Sequence, residues 1–226
     1  MNGEVFKTLC AETAAQGARL VAVSKTKPVA DILELYHAGQ RVFGENKVQE
    51  MADKQQLLPA DIEWHFIGHL QTNKVKQLAA FVSLIHSVDS LKLLEEINKQ
   101  AQKNNRVIDC LLQIFIADEV TKFGFHEDEL QDLLHSNAFR ELKNIRICGL
   151  MGMATNTNDT VKIENEFIAL HTLFNKLRET EFKQQPAFCE LSMGMSSDYK
   201  IALRHGATLI RIGSMLFGQR DSVNLL

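Results

Sequence analysis

The stretch VSLIHSVDSLKLLEEINKQAQKNNRVIDCLLQIF, residues 82–115, changes its apolar period twice, and that change sets the fold. Residues 82–88 are a short apolar run of strand length. Leu91, Leu94, Ile97 and Ala101 then recur at the i, i+3, i+4 spacing of one helical face. A second apolar run, 107–115, follows. Strand, helix and strand in that order make a βα unit feeding a parallel sheet.

The alternation extends in both directions. Further strands are predicted at 20–25, 41–45, 63–68, 146–153, 187–193 and 208–213, and Ile163, Phe167, Leu170, Phe174 and Leu177 mark a helix across 161–178. Eight such units predict an α/β fold, a single (β/α)8 TIM-type barrel over 1–226, somewhat short against a typical barrel of about 250 residues. Only Ser214 to Leu226 remain after the eighth strand, too little for a long closing helix. The segment 3–16, with Val5, Phe6, Leu9 and Cys10, is expected to supply an N-terminal covering helix instead. The alternative is an open doubly wound sheet, built from the same βα signals.

Composition narrows the class. The 226 residues are 45% apolar, enough for a substantial core, and only three prolines and no Gly/Ser-rich linker interrupt them. Net charge is −3, with 25 basic and 28 acidic residues interleaved, so the basic footprint of a nucleic-acid binder is missing. The four cysteines form no CxxC pair. Three lie in apolar runs and read as buried thiols in a reducing compartment. No signal-peptide core and no apolar run near the roughly 20 residues of a bilayer span is present. A soluble cytoplasmic protein is expected.

Ligands of a parallel barrel bind at the carboxyl ends of its strands. The first strand ends Val21-Ala22-Val23-Ser24-Lys25, and alternation sets Lys25 on the side of Val21 and Val23. Withdrawal from water disfavours a charged amine and makes it nucleophilic near neutral pH, which suits condensation with a carbonyl. Taken alone, the segment favours a plainer reading, a lysine whose stem lies on apolar surface while its head reaches water. Lys27 has the same parity but stands beyond the strand, before Pro28, and reads as a loop residue at the mouth.

In the last strand Arg211 and Gly213 share a face with Leu209. A buried guanidinium needs an acceptor: a carboxylate, a backbone carbonyl or a ligand ring nitrogen. Gly213 and Ser214 open a short apolar turn where many such barrels bind phosphate on backbone N–H groups. After strand seven, Ser196 and Ser197 stand beside Gly194, an arrangement that suits a phosphate and equally suits a helix N-cap opening 198–204. Asn46 ends the second strand and could cap the next helix. His65 and His69 span a strand end rather than a helix, which argues against metal ligation. No P-loop, dinucleotide-binding glycine motif or nucleophile elbow is present.

The ordered runs AVSKTKP (22–28), FGEN (43–46), WHFIGHLQTNK (64–74), GLMGMAT (149–155), LSMGMSSD (191–198) and RIGSMLFG (211–218) resemble the pyridoxal phosphate homeostasis protein family. These are barrels similar to the N-terminal domain of alanine racemase, and the likeness spans nearly the whole chain. It reverses the reading of Lys25, which by resemblance is the Schiff-base lysine for pyridoxal 5'-phosphate. Ser196, Gly213 and Ser214 would hold the phosphate, Arg211 would face the pyridine nitrogen, and Asn46 would lie near the cofactor. With an arginine there the ring nitrogen stays unprotonated, a poorer electron sink. Two places depart from the family: Gln113-Ile114-Phe115 stands where an Asn is usual near the end of strand five, and Lys122-Phe123-Gly124 where Lys-Ser-Gly is usual.

The resemblance implies a non-catalytic carrier of pyridoxal phosphate, a monomer that buffers the cofactor or delivers it to apo-enzymes, with no nucleic-acid or membrane partner. An amino-acid racemase is the alternative. It would need a second domain and a tyrosine base, and the chain has only Tyr36 and Tyr199. A module for another phosphorylated metabolite, with Lys25 merely pairing the phosphate, is a third possibility.

Overall fold

The computed structural model describes residues 3–117 and 123–218, and the tail 219–226 lies outside it. Helix α1 (Gly3–Ala15) leads into β1 (Arg19–Val23), α2 (Val29–His37), β2 (Val42–Glu45), α3 (Val48–Leu57) and β3 (Glu63–Phe66). A 3-10 helix over Thr72–Gln77 precedes β4 (Leu84–Val88) and α4 (Leu91–Lys103). Then come β5 (Ile108–Gln113), α5 (Glu127–His135), α6 (Asn137–Arg140), β6 (Ile145–Met151) and α7 (Thr160–Glu179). The chain continues through β7 (Glu190–Ser192), α8 (Tyr199–Arg204), β8 (Leu209–Ile212) and α9 (Ser214–Phe217).

The eight strands close in sequence order, and β1 pairs in parallel with β8 through Val21↔Arg211 and Ala22↔Ile212. Closure excludes the open doubly wound sheet, which would leave two strand edges unpaired. Helix α4 starts at Ser90, whose hydroxyl accepts the Leu93 N–H, and buries Leu93, Leu94, Ile97 and Ala101. Leu93 takes the central place expected of Leu91, which is only partly buried. All five expected positions of α7 are buried. The third unit has no α-helix. After β3 the chain makes only the 3-10 turn, which buries Val75.

Helix α1 packs on β1 and α9 through Phe6 and Leu9, with Val5 and Cys10 partly buried, as a cover supplied from the other end of the chain. Of the cysteines, Cys110 and Cys148 are buried, Cys10 is half-buried and Cys189 is exposed. Cys189 misses the expected burial because β7 begins one residue later and spans only three residues.

Alternation divides each strand between two cores. Outward residues such as Ala22, Phe43, Phe66, Ile85, Leu112 and Ile212 pack under the helices. Val21, Val42, Leu84, Leu111, Cys148 and Leu209 form a separate apolar plug inside the barrel. Below the plug the amino-terminal rim is tied by Arg19 to Glu190 (2.7 Å) and Glu63 (3.6 Å), and by Arg146 to Asp109 (2.7 Å). Cys148 and Met151 both face inward although they are three positions apart. The register slips between Cys110↔Ile147 and Leu111↔Gly149, and this β-bulge switches the parity of β6.

Gly149 makes the bulge possible. Its φ is +150°, and a Cβ there would lie 1.7 Å from the Glu190 carbonyl oxygen. Gly149→Ala should therefore cost about 3 kcal/mol of stability, since backbone must move apart to admit it. Urea unfolding of the two chains measures it; an unchanged midpoint would show that β6 and β7 separate freely.

Candidate functional site

The carboxyl ends of β1, β2, β7 and β8 surround a cavity of about 580 Å³. All six residues singled out above line it: Lys25, Asn46, Ser196, Arg211, Gly213 and Ser214. Val23, Ile67, Met153 and Met195 add apolar wall, enough to flank a planar ring while the polar groups fix its orientation.

Strand β1 ends at Val23, so Lys25 stands on the following turn rather than in the strand, yet it still shares the cavity with Val23. It is half-buried, less withdrawn from water than a strand position implies. Lys27, its rival, donates from Nζ to the Phe217 carbonyl (3.0 Å) and so ties the end of α9 at the mouth. Asn46 is not a helix cap, because Lys47 occupies that position for α3. The helix after β7 is preceded by Asp198, not by Ser196 or Ser197. Asp198 Oδ1 accepts the Met195 N–H (2.6 Å) and folds the turn so that both serines face the cavity. Gly194, at φ +92°, lies so close to α8 that a Cβ would sit 2.5 Å from that of Ala202.

Arg211 forms part of the cavity floor and is 4% exposed. Its Nη1 donates to Ser192 Oγ (2.5 Å) and its Nη2 to the Gly152 carbonyl (3.1 Å). Burial lowers its pKa to about 10, opposed by the nearby Asp198 carboxylate, so it remains a cation at neutral pH. Sequence reading missed what lies behind it. Ser192 Oγ meets His86 Nδ1 (2.9 Å), and His86 Nε2 meets His65 Nδ1 (2.9 Å).

A guanidinium only donates, so Ser192 accepts from Arg211. With the Ser192 hydroxyl hydrogen directed at His86 Nδ1, His86 carries its proton on Nε2 and donates to His65, and the three hydrogen bonds run one way from the cation. Burial pushes His65 down to about 3, assisted by the Arg19 charge, and pushes His86 well below the usual range, with His65 and Arg211 adding to it. A signal was present in the sequence: His86 has the inward parity of Leu84, and His65 pairs with Leu84 across the strands.

At the rim, His69 stacks on Phe123 with ring centroids 3.9 Å apart, and its Nδ1 lies 3.2 Å from Asp89. Gln113 donates from Nε2 to the Phe123 carbonyl (2.7 Å), so β5 holds in place the segment where Phe123 departs from the family pattern. Phe115 packs on His126 and does not line the cavity. Lys122 lies outside the described residues. No cluster of three metal-ligating side chains occurs among the described residues, and no helix there is long and apolar enough to cross a membrane.

The family model for the alanine racemase N-terminal domain matches residues 6–221. The pyridoxal phosphate homeostasis protein of Aquifex aeolicus is 42% identical over 204 residues, 90% of this chain and 87% of that one. Two structures of PipY from Synechococcus elongatus are 36% identical and cover 96% of this chain. The one without PLP has a TM-score of 0.89 and is covered in full; the one with PLP bound has 0.84 and is covered to 99%. Alanine racemase from Bartonella henselae shares the fold at a TM-score of 0.65 and 19% identity, over 97% of this chain and 60% of that one.

The neutral histidine pair has a pH consequence. Each imidazole is protonated in the unfolded chain below about pH 6.5 but stays unprotonated in the fold, so unfolding takes up protons and stability falls with acidification. The loss should run from about pH 6.5 down toward 3, at up to about 1.4 kcal/mol per pH unit for each histidine. Glu45, whose pKa burial raises, acts in the opposite direction, so the comparison must be with a variant. Replacing both histidines by leucine should flatten the slope of urea stability against pH. An equally steep slope would remove the pair from the account.

Proposed function

The chain belongs to the pyridoxal phosphate homeostasis protein family, built on the alanine racemase N-terminal domain, and on that premise we propose that Lys25 is the amine through which it carries its cofactor. The protein binds pyridoxal phosphate. When bound, this cofactor supplies an aldehyde that condenses with an amine and a ring that withdraws electrons. The observation carrying the proposal is the convergence of Lys25, Arg211 and the Ser196, Gly213 and Ser214 turns on one cavity.

Each residue has a part suited to its chemistry. Lys25 Nζ would hold the cofactor through its aldehyde, with loss of water. The turns after β7 and β8 offer hydroxyls and the first N–H groups of α9, which lack intrahelical acceptors, to the phosphate. Gly213 lets this turn pack closely on β1, since a Cβ there would come within 3.1 Å of the Val23 carbonyl oxygen. Arg211, fixed by Ser192 and Gly152, would donate to the ring nitrogen while keeping its proton. Asn46 completes the wall between β2 and Lys25.

Holding and delivery, rather than turnover, is the activity we infer. Tyr199 donates its hydroxyl to Glu12 (2.8 Å) and Tyr36 donates to Asp61 (2.7 Å), and neither lines the cavity. Burial and the Glu12 hydrogen bond push Tyr199 up to about 12, far from the range of a proton-transfer base at neutral pH. Release to apo-enzymes by a cytoplasmic monomer completes the proposal.

Incubation with pyridoxal phosphate should give a visible imine band, and borohydride followed by peptide mass spectrometry should locate the adduct on Lys25. Lys25→Ala should lose both the band and the adduct. Retention of either by the variant sinks the assignment, and racemisation of amino acids well above the rate of free cofactor would replace the carrier with an enzyme.

A further inference from the structure

The turn that presents Lys25 is held from behind by a buried charge cluster that has no part in the cavity lining. Lys54 of α3 is 6% exposed, and its Nζ donates to Glu45 Oε1 (2.7 Å), Glu50 Oε1 (2.7 Å) and the Ser24 carbonyl (2.8 Å). Ser24 Oγ also donates to Glu45 Oε1 (2.6 Å), and the Thr26 N–H donates to Glu50 Oε1 (2.5 Å). Both neighbours of Lys25 in the chain are thereby anchored to the same three side chains.

The turn needs anchoring. The Lys27 N–H donates to the Ser24 carbonyl (3.0 Å), closing a four-residue turn with Lys25 and Thr26 at its centre. Thr26 has φ +65°, a place that turns of this kind reserve for Gly or Asn. A β-branched residue there is strained, at a cost of about 1–3 kcal/mol, and persists only where its surroundings enforce it. Glu50 supplies that enforcement at the Thr26 amide, and Lys54 supplies it at the Ser24 carbonyl.

Stability is a poor explanation for the cluster. Glu45 is fully buried, and its Oε2 has no hydrogen-bond partner among the described residues. Buried ion pairs often lose as much in desolvation as they gain in attraction, and their best-supported return is a fixed geometry. Here the geometry that is fixed belongs to the segment carrying the reactive amine.

We propose that Glu45, Glu50 and Lys54 are positioning residues for Lys25, holding the Ser24–Lys27 turn in the strained form that directs the amine into the cavity. The proposal rests on the carrier reading of Lys25, and it assigns the three residues no contact with the cofactor. They act on the turn alone, through the Ser24 hydroxyl and carbonyl and the Thr26 N–H.

The test uses Glu50→Ala, because Glu50 is the most accessible of the three, and the double variant Glu50→Ala/Thr26→Gly. At saturating pyridoxal phosphate, Glu50→Ala should form the imine band about tenfold more slowly, since small misplacements of a reacting group carry large rate penalties. Glycine adopts positive φ without strain, so the double variant should recover most of that rate. A merely structural loss would not be recovered by adding a glycine. Independently of cofactor, amide hydrogen exchange at Thr26 should accelerate in Glu50→Ala. Wild-type imine formation in Glu50→Ala, failure of Thr26→Gly to restore a slowed rate, or unchanged Thr26 exchange would each overturn the proposal. Absence of the Lys25 adduct in the unaltered chain would instead overturn the carrier reading, and Thr26 exchange would still decide whether Glu50 holds the turn.

Discussion

The parallel ladder between β1 and β8 is the constraint on which the site depends. Residues 19–22 pair one for one with 209–212, and this register puts Val21 beside Arg211. Both chain segments leave the ladder at the same end of the barrel. Lys25 therefore emerges next to Gly213 and Ser214, although about 190 residues separate them. An open sheet with these strands at opposite edges would hold the same side chains far apart, so closure is what turns three ordinary sequence features into one cavity.

Inside the barrel, apolar and polar side chains share the space. Ion pairs tie the amino-terminal rim, and the chain from Arg211 to His65 runs against the apolar plug, with Val21 paired beside Arg211 and Leu84 beside His65. The cavity lies at the carboxyl ends of the strands. In this polar chain Arg211 only donates, to Ser192 and to the Gly152 carbonyl. Through Ser192 the guanidinium is linked to histidines contributed by β3 and β4, on the opposite side of the barrel.

Much of this was legible in the residues themselves. Strand parity places Arg211 and Gly213 on one face, and the strand ends mark where Lys25, Asn46, Ser196 and Ser214 stand, but the cofactor roles of these residues came from the family resemblance. The limits were equally physical. Parity did not survive the bulge at Cys148, which changes the face of Met151 without any change in hydropathy. Ser196 was balanced between cap and ligand until Asp198 was seen to take the Met195 N–H. The link from His86 to Ser192 spans 106 positions, and no local pattern encodes it. Glu50 and Lys54, four apart on a helix, look like a solvated surface pair. Only the fold reveals that the lysine is buried against Ser24 and Glu45.

The apolar plug has a topological consequence for a protein that takes up and gives back a small molecule. Val21, Leu84, Leu111 and Leu209 seal the axis beneath the cavity, so the barrel is a blind vessel and not a conduit. Among the described residues, access is therefore from the strand-end side, where His69 and Phe123 stand with the rest of the lining. In the proposed carrier role, loading and unloading would share that one face.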